Sequence, residues 1–448
     1  MTLPPGSALP AIVQTVRFLR DPTRVLEGNR RRYGPVFRMR LVGFPPEVFV
    51  ATAAHAERIY RMDANGGRAG EVRRMFLEPI VGQQSLLSLD GDQWMRHRKL
   101  VNRPLHGRAI AGYRDEIADI AVADIERWPR GEPIDLRSRM QDITLVVILR
   151  LVFGIRDAAR LARLRKLLPE LADVAGSVAL TVLPPGLRSR MQDSALLRRV
   201  RFLPTTRFVR LRAAVDEIVY DEIARRRATP DPEATDVLSR LLEARDEDGE
   251  PLSDLELRDE LIALLEAGHE TTATSLAWTF ERLVRTPAVF DRLREELARD
   301  DEQYLDAVIK EALRVRPVVF AATRLLDSPI ELGGHQVPAG WLAAPVISLV
   351  HRDPDVFPAP DEFRPERFLG EDAARTQKSW MPFGGGRRYC AGAQLALLEM
   401  RVIIREVLDR VTLTTHDPAP EAERIRHVTL VPARGGRVVA HDLARATC

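Results

Sequence analysis

The stretch Phe383-Gly384-Gly385-Gly386-Arg387-Arg388-Tyr389-Cys390-Ala391-Gly392 sets one cysteine behind three glycines and two arginines. Directly after it, the apolar spacing of Leu395 to Val411 predicts a helix. Consecutive glycines permit a tight loop whose N–H groups can face one acceptor, and a helix N-terminus flanked by arginines favours a thiolate over a thiol. A lone intracellular cysteine is ordinarily an inert core residue. Here the glycines, the arginines and the helix start argue together for a functional thiolate. No second cysteine or metal-spaced histidine accompanies Cys390, so zinc and iron–sulfur sites lack ligands, whereas one thiolate suffices for haem.

A second chemical segment, Ala267-Gly268-His269-Glu270-Thr271-Thr272, interrupts a long helical pattern. That helix is signalled at its start by Ser253 and Glu256, which have capping-box spacing. It continues through Leu257, Leu261, Leu264, Leu265, Leu276, Phe280 and Leu283 towards Pro287, a span of roughly 50 Å with a centre expected to be buried. Glycine costs about 1 kcal/mol against alanine in a helix interior. Such strain, beside a carboxylate and hydroxyls, often marks a site. A carboxylate and a hydroxyl opposite a haem thiolate can manage the protons of O–O cleavage.

With both segments in view, the sequence resembles the cytochrome P450 superfamily of haem-thiolate monooxygenases. The family's haem loop, Phe-x-x-Gly-x-Arg-x-Cys-x-Gly, is met by Phe383, Gly386, Arg388, Cys390 and Gly392. Its oxygen-activating motif is met by Ala267, Gly268, Glu270 and Thr271, and its Glu-x-x-Arg by Glu311 and Arg314, with Arg367 where a later meander arginine is expected. The resemblance implies haem b as cofactor and Cys390 as the iron ligand. It implies Glu270 and Thr271 as catalytic residues, with Gly268, Phe383, Gly386 and Gly392 lining the cofactor. Trp94, Arg98, Arg324 and Arg388 are nominated as propionate donors, and Glu311, Arg314 and Arg367 as a structural network. His97 and His351 are expected to be structural. His269 occupies the variable position of its motif.

The implied reaction is insertion of one atom of O2 into a substrate by hydroxylation or epoxidation, with a peroxide-dependent peroxygenase or a non-catalytic haem sensor as alternatives. Apolar residues in Arg73 to Leu89, Leu171 to Leu187, the residues before Gly268 and Val318 to Ala322 predict an apolar small-molecule substrate, with Arg73 or Arg74 as a possible carboxylate anchor. Electrons are expected from a separate ferredoxin or flavodoxin with its reductase. Arg96, Lys99, Arg103, Arg108 and Arg387 are candidates for a basic docking patch.

These residues need a scaffold, and the composition allows a large one. The chain has 448 residues, 45% of them hydrophobic and 29% charged, which fits a globular protein and excludes a disordered or collagenous one. The 67 basic and 64 acidic residues leave a formal charge of +3 without long like-charge blocks, which argues against nucleic-acid binding. Two cysteines, Cys390 and Cys448, suit a reducing compartment, so a cytoplasmic location is expected. The apolar run from Ala8 to Leu19 falls short of the roughly 20 residues of a membrane span.

Helical periodicity over Ile117 to Trp128, Ser138 to Phe153, Ala158 to Leu168, Val209 to Arg227 and Asp236 to Arg245 predicts a mainly α fold. Strand signals are confined to Val36 to Val42, Glu47 to Ala51, Ile330 to Leu332 and Val428 to Val431. The expected architecture is one P450 domain over 1–448, with its β-rich part mainly near 36–51 and 318–350. Ala228 to Glu233 reads as a loop between helices.

Overall fold

The computed structural model describes residues 2–443 apart from 65, 176–203, 372 and 427. Cys448, the side chain of Arg108 and positions 176–187 of one expected substrate segment lie outside the described residues. The helices used below are, in chain order, α1 (Ala11–Arg20), α2 (Pro22–Tyr33), α3 (Ala53–Arg61), α4 (Ala69–Val81), α5 (Gly91–Asn102), α6 (Arg114–Ile125) and α7 (Leu136–Leu151). They continue with α8 (Ala158–Ala175), α9 (Pro204–Ala228), α10 (Val237–Glu243), α11 (Asp254–Val284), α12 (Gln303–Val315) and α13 (Ala393–Leu408). The strands are β1 (Val36–Met39), β2 (Glu47–Val50), β3 (Gly67–Arg68), β4 (Pro133–Ile134), β5 (Arg324–Leu326) and β6 (Ile330–Leu332). They are followed by β7 (His335–Val337), β8 (Leu342–Pro345), β9 (Val411–Thr415), β10 (Glu423–Arg426), β11 (Thr429–Pro432) and β12 (Val438–Asp442).

Two compact units emerge: 1–68, 114–144 and 270–448 form the first, and 69–113 and 145–269 the second. In the first, a mixed sheet runs β1-β2-β8-β5-β3, with β2 and β8 parallel and its other pairs antiparallel. Its apolar side chains join Phe18 of α1 and Leu26 of α2 in a core where Phe37 and Phe49 stack at 5.7 Å. A second sheet, β4-β12-β9, has no strand signal in the sequence, whereas β11 of the β10–β11 hairpin matches the signal at Val428 to Val431. β9 and β12 pair Val411 with Asp442 across a long connection, so no short turn announces them.

The second unit is helical in its described residues. There α8 runs to Ala175, through Pro169, beyond the expected stop at Leu168. α10 begins one residue after Asp236, whose carboxylate caps the helix by accepting the Ser239 N–H at 3.0 Å. α7 and α11 each contribute residues to both units. The capping box at the head of α11 is formed: Ser253 N–H donates to Glu256 Oε2 at 2.8 Å, and Glu256 N–H to Ser253 Oγ at 3.2 Å.

Candidate active site

In the first unit the cysteine loop closes on itself before α13. Cys390 N–H donates to the Phe383 carbonyl at 3.1 Å, and Gly392 is the residue before the first turn. Gly384 and Gly386 take φ of +73° and +66°, where a side chain would be strained. At Gly386 a Cβ would also lie 2.7 Å from the Tyr60 carbonyl oxygen and 2.9 Å from an Asp63 carboxylate oxygen. Phe383 is held edge-on between Trp380 and Tyr389, with ring centroids 5.9 and 6.1 Å away. The loop therefore carries Cys390 to an exposed position at a helix N-terminus.

Arg324, at the start of β5, is buried and directs its guanidinium inward. Nε and Nη2 donate to Asp63, and Nη1 donates to the carbonyls of Ala322 and Thr323. The guanidinium carbon lies 5.3 Å from the Tyr60 ring centroid. Asp63 also receives the Arg388 N–H at 3.4 Å, so one carboxylate ties β5 to the cysteine loop. Sequence reasoning did not find Asp63 or Tyr60. Neither sits in a motif, and their roles arise from how α3 packs beside the loop.

Burial varies along the centre of α11. Leu261 to Ala263 and Thr272 to Phe280 are buried, whereas Ala267 is exposed and Gly268 to Thr271 are half-buried. Glu270 belongs to the first unit and is clamped there by α7, with Arg137 Nη2 donating to Oε1 and Gln141 Nε2 donating to Oε2 at 2.6 Å. Arg137 and Gln141 went unnoticed, although their i,i+4 spacing puts two polar side chains on one face of an apolar helix. Ser275 and Thr279 bond back to the carbonyls of Thr271 and Ser275. Gly268, in the second unit, has a packing reason: a Cβ there would lie 2.8 Å from Ile148 Cδ1 of α7.

The Glu-x-x-Arg pair is buried on α12. Arg314 donates to both Glu311 oxygens at 2.7 and 2.8 Å, and Arg367 Nε reaches Oε1 at 3.3 Å. Further donors of both arginines go to carbonyls of His351, Pro358, Ala359, Pro360 and Glu362, so two guanidinium groups share one carboxylate and a set of backbone acceptors. His351 accepts the Met381 N–H at Nε2 and meets the Arg314 carbonyl at Nδ1. Burial and the neighbouring Arg314 push it down to about 3, so the ring is neutral and structural.

In the second unit Trp94 is buried and Arg98 half-buried on α5. His97, between them in sequence, lies 2.7 Å from Glu260 and 3.1 Å from Glu256. Arg96 donates to Asp246 at 2.6 Å and Glu256 at 2.7 Å, and Lys99 to Glu247 at 2.7 Å. These acids correct the expectation of a basic patch at Arg96 and Lys99, because each cation already has a counter-ion. Arg387 is exposed in the first unit. Arg74 pairs loosely with Glu71 at 4.0 Å.

Together these residues present an exposed cysteine at a helix N-terminus, a glycine-built loop and a buried arginine tied to that loop through Asp63. The cytochrome P450 family model matches residues 3–438. The chain belongs to the cytochrome P450 family. Cytochrome P450 135B1 of Mycobacterium tuberculosis is 41% identical over 98% of this chain and 91% of that protein. Cytochrome P450 135A1 of the same species is 37% identical over 97% of this chain and 94% of its own length. A cyanobacterial P450, CYP120A1, solved with bound retinoic acid, has a TM-score of 0.84 at 25% identity, covering 99% of this chain and all of that one.

Membership makes the protein a haem-b-dependent P450 monooxygenase, and its own residues fit that cofactor. A free cysteine is ordinarily buried, yet Cys390 is exposed at the head of a 16-residue helix. A Cβ on Gly392 would meet no protein atom within 4 Å, so no contact of the protein itself demands glycine there. Among the described residues no group of three or more His, Cys, Asp or Glu can hold a metal ion.

Proposed function

We propose that this P450 hydroxylates or epoxidises an apolar small molecule, with electrons delivered by a separate ferredoxin or flavodoxin and its reductase. The observation that carries the reading is the exposed Cys390 sulfur, held by a glycine-built loop at the start of α13. Haem b, when bound, supplies the activation of O2. Cys390 is the iron ligand, and Phe383, Gly386, Gly392 and Gly268 line the cofactor. Trp94, Arg98 and Arg388 donate to its propionates, whereas Arg324, nominated with them, has its guanidinium engaged by Asp63 and two carbonyls and positions the cysteine loop instead.

Thr271 holds a proton by hydrogen bonding on the accessible face of α11. Glu270 passes protons towards it, releasing Gln141 while Arg137 keeps the carboxylate in place. Half-buried apolar side chains on α4, Phe76 and Leu77, support an apolar substrate. The residues 1–448 act as one catalytic domain, a reading supported by α7 and α11 belonging to both units. The scarcity of cysteine supports a reducing, cytoplasmic setting.

The experiment is a reduced, carbon-monoxide difference spectrum on wild type, Cys390→Ala and Thr271→Ala. Loss of the thiolate band only in Cys390→Ala, and diversion of reducing equivalents to peroxide in Thr271→Ala, are the expected results. A thiolate band that survives Cys390→Ala overturns the ligation. Turnover with peroxide but not with O2 and reductase would establish a peroxygenase instead.

A further inference from the structure

Glu260 of α11 is fully buried, and only one of its carboxylate oxygens has partners. Oε1 accepts the Leu86 N–H at 2.8 Å and lies 2.7 Å from His97 Nδ1, whereas Oε2 has no hydrogen bond among the described residues. His97, 2% exposed on α5, turns its other ring nitrogen to Glu256 Oε1 at 3.1 Å. Glu256 already accepts from Arg96 and from the Ser253 N–H, so His97 Nε2 is a donor. One proton then lies between Nδ1 and Glu260 Oε1, and the buried pair is neutral as a whole. Burial pushes the Glu260 carboxyl up from its ordinary value, and the contact with His97 is the largest effect opposing it.

Two separate pieces of chain meet at that oxygen, both in the second unit. One is the segment between α4 and α5. Asp259 Oδ2 accepts the Gln84 N–H at 2.9 Å, and Gly82, at φ +74°, passes so close that a Cβ would run into that carboxylate. The far end of the segment is fixed by Asp90, whose carboxylate accepts the Gly70 and Glu71 N–H groups at 2.8 Å each. The other piece is α5, where Trp94 and Arg98 stand on either side of His97 in sequence.

We infer that Glu260 and His97 are positioning residues for the monooxygenase reaction. Through a single oxygen they fix α5 and the α4–α5 segment to α11, so that donors offered to the haem propionates and a wall offered to the substrate are set together. The inference rests on the reading of Trp94 and Arg98 as propionate donors and of 73–89 as facing substrate.

The test separates the two ring nitrogens. An asparagine amide takes the place of Nδ1 and still donates to Glu260, whereas a glutamine amide reaches the place of Nε2 and donates to Glu256. On the full haem-loaded chain, His97→Gln should speed haem loss to excess apomyoglobin about tenfold. Amide hydrogen exchange across residues 83–89 should rise by a similar factor. His97→Asn should stay within about twofold of wild type in both readouts. Glu260→Asp, which draws the carboxylate back by a methylene, should reproduce both faults.

A residue that merely fills the core would give the same result for asparagine and glutamine. Equal behaviour of the two His97 variants therefore overturns the inference, as does wild-type behaviour of Glu260→Asp. Faster exchange with unchanged haem loss in His97→Gln overturns it too, because the pair then holds the segment alone. Arg98→Ala checks the underlying reading separately: unchanged haem loss in that variant refutes the propionate assignment, whatever the His97 variants show.

Discussion

Asp63 accepts two hydrogen bonds from the Arg324 guanidinium, at 2.5 and 3.1 Å, with both side chains 2% exposed. The same carboxylate receives the Arg388 N–H from the cysteine loop. A residue outside every motif therefore ties β5 to the cysteine loop.

Removing that carboxylate leaves a buried guanidinium without its counter-ion. Asp63→Ala is expected to lose about 3 kcal/mol of unfolding free energy, measured by urea denaturation. The variant should also bind haem less tightly, because the loop has lost a tether. Unchanged stability and haem retention would show that the pair carries no structural weight.

Glu270 is held by two donors from α7. If it passes protons, Glu270→Gln should lower O2-dependent turnover about 100-fold, a typical contribution for acid–base catalysis. The carbon-monoxide spectrum should be retained. Peroxide-driven turnover, which needs fewer delivered protons, should fall much less. An equal drop in both would assign Glu270 to packing.

Gly268→Ala drives a methyl group against Ile148 Cδ1, the flexible end of its side chain. Overpacking of about 1–2 kcal/mol is partly offset by the roughly 1 kcal/mol alanine gains in a helix. The net loss should be small, and Ile148→Val, which removes that methyl, should reverse it. A double-mutant cycle in urea measures the coupling; additivity would mean the two do not meet.

Two buried groups give opposing pH dependences. His351 is pushed down to about 3, so its unfolded form binds a proton first. The stability it contributes is complete above about 6.5 and is lost as pH falls towards 3. Glu47 is pushed up to about 7 by burial, against the Thr323 hydroxyl that accompanies it. Its contribution is complete below about 4.3 and is lost as pH rises towards 7. Between those limits the slopes oppose each other, each on the order of 1.4 kcal/mol per pH unit. Relative to wild type, Glu47→Gln should make stability climb more steeply with pH there, and His351→Gln less steeply. Thermal melts from pH 4 to pH 8 would check this, and identical profiles in all three would refute it.

Local chemistry was legible in the chain. Ser253 and Glu256 announced the head of α11 because a capping box involves only neighbouring residues. The glycine loop announced a tight turn before a helix for the same reason, since loop flexibility and helix polarity act over a few residues. The Glu311–Arg314 pair also reads locally, once Arg367 is supplied by the meander.

What tertiary structure alone decided are the partners that arrive from distant positions. Asp63 reaches Arg324 across 261 residues, and Arg137 reaches Glu270 across 133. Lys99 and Arg96 look like free cations in sequence, yet Glu247 and Asp246 neutralise them. The choice of α1 to bury glutamine and show leucine belongs to the same class. Periodicity reports that a helix has two faces; which one meets the core depends on surfaces made by chain far away.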